Sequence, residues 1–531
     1  MQLKQTLLDQ PVIIIGAGIA GNTMAISLKR QGYQNILVIE KDNDPTLTTS
    51  GRGKSINLAA SDRSLVYFKE CEINVPKMVK MRARLIHTAK GSIMQTYDQF
   101  GRYLLSVNRN DLNRDLCLEA KKYGVRYYFN HKLSSIDFAS RSIIVCNDKN
   151  VHTTYPYDFL IGADGSNSFV ADQLDHHNND NYQPVTDSEW VYQEYEVAAN
   201  NDSQFAIAMA KNFHIWPGKE RFLIALPNAD KTFTVTLFCR GETASRLCKM
   251  PKNGQGIAEI THLFKEMCAE TPLELFNIEE NFINNKVSRI HSRDSKHWYE
   301  NFSEPRVLLI GDAAHAFPPF LGLGFNAAVE DVAIFMALLQ QQPDLSYCIR
   351  TFANKRRIDT NALRDASIEN AYTLSSEVAE PDKSLKFILT EHLERVGRDL
   401  FIEPHTLYSF THLPESEARY RQLYQQDLIT ELLKVDGLRE AIPDDSLENM
   451  AIKLEELLHK PNVLSVKIVE LLTQYQHSLG EWQNDNRTNI LQSPFYQYKG
   501  SFFFSTSPQH VVADNISGHC VSLDMVKREY E

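Results

Sequence analysis

Four uninterrupted apolar runs frame the chain. Val12–Ile15 is β-branched throughout, the mark of a parallel strand covered on both faces. It runs into Gly16-Ala17-Gly18-Ile19-Ala20-Gly21, after which Met24, Ala25, Ile26 and Leu28 fit a helix that stops near Gly32. A second run, Ile36–Ile39, ends at Glu40; Phe159–Ile161 and Val307–Ile310 each end in glycine and aspartate. Between them, Phe222–Leu226 and Phe233–Phe238 predict antiparallel strands in a β-rich stretch from about residue 185 to 290. A nucleotide-binding α/β layer interrupted by a β-rich insertion follows. From about residue 335 the pattern turns helical. Ile452, Leu454, Leu457 and Leu458, then Val463, Val466, Val469 and Leu472, predict two amphipathic helices parted by Pro461. The aromatic stretch from about Ser493 lacks a period and reads as an extended tail packed on the body.

Composition narrows the class. The chain has 531 residues, enough for two or three domains, and its 43% hydrophobic and 23% charged residues are ordinary for a globular protein. Lys plus Arg is 56 against 67 for Asp plus Glu, a net charge of -11 that argues against a nucleic-acid partner. The 8 cysteines form no CxxC pair and read as reduced thiols of a cytoplasmic protein. The run Val12–Ile15 is too short for a signal peptide, and no stretch of about 18 apolar residues predicts a transmembrane segment. No HExxH or other metal-ligand cluster is visible, so no metal is expected, and no GxSxG elbow offers a serine nucleophile.

Gly16-x-Gly18-x-x-Gly21 stands after a strand and at a helix start. The first glycine permits the tight turn, the second lets backbone approach a pyrophosphate, and the third lets helix and strand pack closely. The helix N-terminus offers free N–H groups to phosphate, from Ile19 and Ala20 onward. Glu40 is placed to accept from ribose hydroxyls, with Lys41 beside it. A carboxylate there disfavours a 2′-phosphate, so the tightly held nucleotide is FAD or NAD rather than NADP. Two distant segments, Asp158 to Ser168 with Asp164-Gly165 and Val307 to His315 with Gly311-Asp312, each deliver an aspartate beside glycine from a buried strand.

These three motifs resemble the FAD-dependent aromatic hydroxylases with a single flavin domain, the group of p-hydroxybenzoate hydroxylase. The resemblance implies that Asp312 binds the flavin ribitol and that Asp164 serves FAD and a transient NADPH contact. The family often has arginine after the serine segment; here Ser168-Phe169-Val170 is followed by Ala171.

Longer strings resemble the kynurenine 3-monooxygenase family: Gly51-Arg52-Gly53-Lys54-Ser55-Ile56-Asn57-Leu58, Met81 to His87, Ser106-Val107-Asn108-Arg109 with Leu112-Asn113, and His214-Ile215-Trp216-Pro217. The likeness spans roughly residues 10 to 412. It implies a Rossmann-like FAD-binding domain of residues 1–72, 105–183 and 290–375, a β-rich substrate domain of 73–104 and 184–289, and a helical C-terminal region of 376–531. Arg52, Ser55 and Arg109 are implied to contact cofactor. Arg84 and Tyr97 are implied to hold a substrate carboxylate, for which a guanidinium fork and a phenol are suited. Pro319 and Phe320 match the flavin-adjacent substrate wall, Gly322, Gly324, Phe325 and Asn326 the flavin-contacting loop, and Ile224 and Asn370 lie in matching substrate segments. Three polar positions depart from the family: Leu323 replaces a glutamine, Thr373 a glutamate and His405 a tyrosine. A pocket built for a polar group binds it poorly once the partner is leucine. The expectation is a changed substrate that keeps its acid group, the alternative being drift within a kynurenine enzyme.

The implied activity is NAD(P)H- and FAD-dependent hydroxylation of an electron-rich aromatic acid, kynurenine or a relative, by molecular oxygen activated as a flavin C4a-hydroperoxide. The implied catalytic wall is Pro319, Phe320, Gly322 and Gly324, which excludes water. His315 reads as structural. Two alternatives stand beside this: the same chemistry on a tethered or macromolecular substrate docked by the C-terminal helices, and a flavin-binding module that does not hydroxylate.

Overall fold

The structure is a computed structural model. It describes residues 8–47, 57–88, 91–97, 101–178, 185–268, 271–375, 383–397, 401–443, 445, 447–459 and most positions from 463 to 474. Arg52 and Ser55, Pro461 and the aromatic tail lie outside the described residues. The chain divides into a unit of residues 1–378 and a unit of residues 379–531.

In the first unit the chain runs β1 (Val12–Ile15), α1 (Ile19–Arg30), β2 (Ile36–Ile39), β3 (Leu58–Ala60), α2 (Asp62–Glu70), β4 (Val79–Met81), β5 (Ala83–Thr88), β6 (Gly91–Thr96) and β7 (Leu104–Val107). It continues through α3 (Arg109–Lys122), β8 (Arg126–Tyr128), β9 (His131–Asp137), β10 (Ser142–Asn147), β11 (His152–Pro156), β12 (Phe159–Gly162), α4 (Phe169–His177) and β13 (Val185–Val197). Then follow β14 (Phe213–Gly218), β15 (Arg221–Pro227), β16 (Phe233–Cys239), α5 (Gly241–Lys249), α6 (Gly254–Met267), α7 (Ile278–Asn284), β17 (Ser288–Arg293) and β18 (Val307–Leu309). The unit closes with α8 (Asp312–His315), α9 (Gly324–Gln341) and α10 (Leu345–Ser375).

All four apolar runs enter one parallel sheet of order β18-β12-β1-β2-β8. Every residue of β1, β2 and β12 is buried, which is why these strands read as continuous hydrophobic runs. A seven-stranded sheet of order β17-β13-β16-β15-β14-β5-β6 carries the alternating segments. Its pairs are antiparallel except β14 with β5, which is parallel. The architecture is the interrupted α/β layer that the patterning predicts.

The β-rich expectation for residues 185 to 290 needs one correction. Residues 241–284 are largely helical, in α5, α6 and α7. Ala244, Leu247, Ile260, Leu263 and Phe264 join Trp216, Leu223, Val235 and Leu237 in one buried cluster, so these helices cover the back of the seven-stranded sheet. The helical run after the insertion also begins earlier than residue 335, at Gly324.

The second unit is helical: α11 (Lys383–Gly397), α12 (Pro404–Phe410), α13 (Glu415–Leu433), α14 (Leu438–Ala441) and α15 (Leu447–His459). Leu385, Ile388, Leu389, Ile429, Leu432 and Leu454 contribute to its own core. No described helix is long and apolar enough to cross a membrane.

Candidate flavin and substrate site

The glycine turn after β1 is where three distant motifs meet. Gly16 has φ +105, and a Cβ there would stand 2.3 Å from the Ala163 carbonyl oxygen. Only glycine admits both the left-handed backbone and that approach. A Cβ on Gly21 would meet the Gly16 oxygen at 2.1 Å, so α1 is pressed onto the turn. Gly311, with φ +59, brings the segment after β18 to the same place: its Cβ would lie 3.1 Å from Ala20 Cβ. The three strand ends β18, β12 and β1 are neighbours in the sheet, at the carboxyl edge where such folds take nucleotides.

The residues there fit FAD. Gly18 caps α1 in an extended conformation with no side-chain capping bond, so the first-turn N–H groups of Ile19 and Ala20 remain for phosphate. A Cβ on Gly18 would meet nothing within 4 Å, and the same holds for Gly165 at φ +82. Glu40 accepts from the Ala17 N–H (2.7 Å) and the Asp42 N–H (2.9 Å), one donor per oxygen, which fixes it at the end of β2 with acceptor capacity to spare. Lys41 pairs at the surface with Asp42 at 3.0 Å. Asp312 is half-buried, and its carboxylate makes no hydrogen bond or ion pair among the described residues.

Asp164 is turned inward. Its carboxylate accepts from Ser168 Oγ (2.5 Å), Phe169 N–H (2.7 Å) and Val170 N–H (3.2 Å), tying down the start of α4. Arg109 opens α3 behind the Asn108 cap and is exposed. Asn326 is buried, and its side chain braces protein: Oδ1 accepts from the Ser61 N–H (2.9 Å) and the Ser64 hydroxyl (2.7 Å), while Nδ2 donates to the Ala59 carbonyl (2.9 Å). Phe325 is buried with its ring 6.1 Å from that of Phe68.

Beside this lies the front of the seven-stranded sheet. Arg84 pairs in register with Phe213 and Gln95, and Ile215 with Ile224, so Arg84, Ile215 and Ile224 share a face by the two-residue period. Tyr97 follows the end of β6, two residues beyond Gln95, the strand partner of Arg84. Both are buried, Arg84 at 9% and Tyr97 at 1% exposed. Farther along it, Phe222 and Phe238 stand opposite each other and pack against Phe320, at ring distances of 5.9 and 5.6 Å. Trp190 completes the aromatic wall 4.8 Å from Phe320.

Phe320 sits in a short 3-10 turn, Pro319–Leu321, closed by Gly322 at φ +69. α10 holds that turn from behind. Ser367 Oγ donates to the Pro318 carbonyl at 2.6 Å, and Asn370 Nδ2 donates to the Phe320 carbonyl at 2.8 Å. Leu323 is buried at 3%, between Gly322 and Gly324 at the start of α9. Thr373 is exposed and bonds back to the Glu369 carbonyl at 3.1 Å. His405 belongs to the second unit, buried in α12 with Nδ1 3.3 Å from Ser409 Oγ.

A buried charge network escapes the sequence reading. Arg63 donates to Glu330 (2.6 Å), Arg356 to Glu330 (2.9 Å) and to Asp331 (2.8 Å), and His315 Nε2 to Asp331 (2.6 Å). Burial raises the Asp331 carboxyl, but His315 and Arg356 outweigh it and hold the group below the usual carboxylate range. Two adjacent acids inside a largely apolar helix were its one sequence signal. Arg293, also buried, ties the Ser166 carbonyl (2.7 Å) to Asp172 (2.7 Å) and so joins the Asp164 loop to α4.

Residues 9–342 match the family model described as FAD binding domain, and with this fold and site they define a FAD-dependent monooxygenase. The chain is 30% identical over 429 residues to the kynurenine 3-monooxygenase of Stenotrophomonas maltophilia, covering 78% of this chain and 90% of that one. It is 29% identical over 456 residues to that of Cytophaga hutchinsonii, covering 84% and 98%. Among solved structures, Pseudomonas aeruginosa PqsL aligns at a TM-score of 0.55 with 15% identity, covering 69% of this chain and 97% of that one. The oxygenase of 2-methyl-3-hydroxypyridine-5-carboxylic acid aligns at 0.54 with 16% identity, covering 70% and 95%. These two share the fold. The chain belongs to the kynurenine 3-monooxygenase family of FAD-dependent aromatic hydroxylases, and FAD is its cofactor.

Proposed function

We propose that the protein hydroxylates a small electron-rich aromatic acid, using NADPH and molecular oxygen, and that this acid is less polar than kynurenine around its ring-proximal groups. The observation that carries the reading is one sheet face with Arg84 at one end and the aromatic wall around Phe320 at the other, with buried Tyr97 at the end of β6 and buried Leu323 three residues after Phe320. FAD, when bound, carries the electrons from the reductant and activates oxygen for transfer to the arene.

The chain's own residues do the rest. Arg84 binds the carboxylate and sets the distance of the ring from the wall. Tyr97 fixes the carboxylate's orientation. Trp190, Phe222, Phe238 and Phe320 exclude water from the reacting space, which keeps reduced oxygen from being lost as peroxide. The backbone N–H groups from Leu323 to Asn326 are suited to stabilise negative charge near the flavin ring. Arg52 and Ser55 are further cofactor contacts in this reading, on the strength of the matching string alone. Cytoplasmic residence is part of the same proposal and rests on the scattered, unpaired cysteine pattern of the sequence.

The test is a panel of L-kynurenine, anthranilate, hydroxyphenyl acids and indole acids given to the purified yellow enzyme. NADPH consumption and product mass are recorded together, since an effector can drive peroxide formation without hydroxylation. A gain of sixteen mass units on an acid other than kynurenine is expected. Efficient 3-hydroxylation of kynurenine would overturn the changed substrate and leave the hydroxylase reading standing.

A further inference from the structure

We propose that Asp331 is a positioning residue for the flavin site, which sets Asp312 against the first turn of α1 without touching the cofactor. Asp312 has no protein partner of its own among the described residues, so its place depends on the turn that carries it. Both ends of that turn are fastened to one oxygen. Asp331 Oδ2 accepts from the Gly311 N–H at 2.8 Å and from His315 Nε2 at 2.6 Å. An ionised carboxylate only accepts, so Nε2 is the protonated nitrogen of His315. On its other side the turn lies against Ala20, whose Cβ would stand 3.1 Å from a Cβ at position 311. Asp331 thereby holds Asp312 in register with the N–H groups awaiting phosphate.

The anchor is itself rigid. Asp331 is 0% exposed, and its second oxygen accepts from Arg356 Nε at 2.8 Å. Arg356 and Arg63 also share Glu330, so two buried guanidinium groups face two buried carboxylates. Displacing any member would break charge-assisted hydrogen bonds in a buried place, which holds the arrangement fixed. The anchor is assembled from α2, α9 and α10, the last of which also holds the Phe320 turn through Ser367 and Asn370.

The proposal rests on FAD being held at this turn, and its test separates positioning from general stability. Two double variants keep the charge balance: Asp331→Asn with Arg356→Met, and Asp331→Leu with Arg356→Met. The first retains an acceptor for the Gly311 N–H; the second removes it. Apoprotein of each is titrated with FAD, followed by quenching of flavin fluorescence, and with ADP, which lacks the ribityl chain. The leucine variant should bind FAD about tenfold or more weakly than the asparagine variant, with equal ADP affinity. Equal FAD affinity in the two overturns the proposal, and so does a matching loss for ADP. If the leucine variant does not fold, His315→Phe decides. It removes one of the two donors and leaves Asp331 paired with Arg356. FAD binding weakened about threefold or more at unchanged ADP affinity supports the assignment, and unchanged FAD binding overturns it.

Discussion

Asn370 donates its side-chain amide to the backbone carbonyl of Phe320 at 2.8 Å. The residue that the family likeness places near substrate thus also holds the wall against which substrate is expected to lie. Ser367, one turn earlier on the same helix, does the same for Pro318 at 2.6 Å. The wall is a loop given the precision of a helix by two side chains.

Asn370→Ala should therefore loosen the wall more than it weakens the protein. One hydrogen bond to backbone is worth about 1 kcal/mol, so the melting temperature should move little. The site should admit water, and the ratio of peroxide formed to product formed should rise about twofold or more. An unchanged ratio with a slower overall rate would show that Asn370 acts only through substrate contact.

Arg84→Met should raise KM for the aromatic acid about 10- to 150-fold, the range for losing a charge-assisted bond worth about 1.5–3 kcal/mol. FAD content should stay at the native level, because Arg84 stands on the sheet face and not at the glycine turn. Steady-state kinetics with the acid and with its neutral amide check this: the discrimination between the two should largely vanish. If the variant still prefers the acid as strongly, the carboxylate is bound elsewhere.

Gly16→Ala should destabilise the first unit by about 2–4 kcal/mol and strip the flavin. The added methyl meets a backbone carbonyl at 2.3 Å on a φ of +105, so neither partner can yield cheaply. Gly18→Ala is the control, since nothing lies within 4 Å of its Cβ and its φ of -76 suits any residue. It should fold normally and lose FAD, its methyl standing where the pyrophosphate approaches. A Gly18→Ala protein that retains flavin would place the dinucleotide elsewhere.

What could be read in advance follows from how local each signal is. The four apolar runs became neighbouring strands because a strand buried on both faces announces itself residue by residue. β8, at the edge of the same sheet, gives no such signal: Arg126 is exposed and Tyr127 and Tyr128 are only half-buried. α5 and α6 are amphipathic against a sheet, and next to the strong alternation of residues 222–238 their period was not separable. The Arg63–Glu330 bond joins residues 267 apart in sequence, a relation that only tertiary packing creates. Asn326 shows the converse: the motif marks the position, while its side chain is committed to Ser61, Ser64 and Ala59 rather than facing outward.

Acid should destabilise the first unit through His214. Its ring lies in the sheet beside Trp216, 0% exposed, with Nδ1 3.0 Å from His87 Nε2. Burial lowers its pKa to about 3, with the neighbouring His87 adding to the effect. The folded pKa lies below the unfolded value of 6.5, so between pH 6.5 and 3 the unfolded chain binds the extra proton. Stability is therefore full above pH 6.5 and falls as the pH drops, by about 2 kcal/mol at pH 5. His214→Phe should flatten the fall in melting temperature between pH 7.5 and 5. Parallel slopes for the two proteins would assign the acid sensitivity to other groups.

Leu323 offers the sharpest test of substrate choice. It is 3% exposed, at the N-terminal end of α9 and three residues after Phe320. A hydrophobic residue there cannot return a hydrogen bond to a polar substituent, and burying that substituent unpaired penalises binding. Leu323→Gln is nearly volume-conserving and restores a donor and an acceptor at that point. It should raise kcat/KM for kynurenine about tenfold and lower it for the arene that the native enzyme prefers. Because one substitution moves the two substrates in opposite directions, a general loss of fold or flavin cannot imitate the result. Should both substrates respond alike, the identity of residue 323 does not set the choice, and the difference from kynurenine enzymes must lie in other pocket positions.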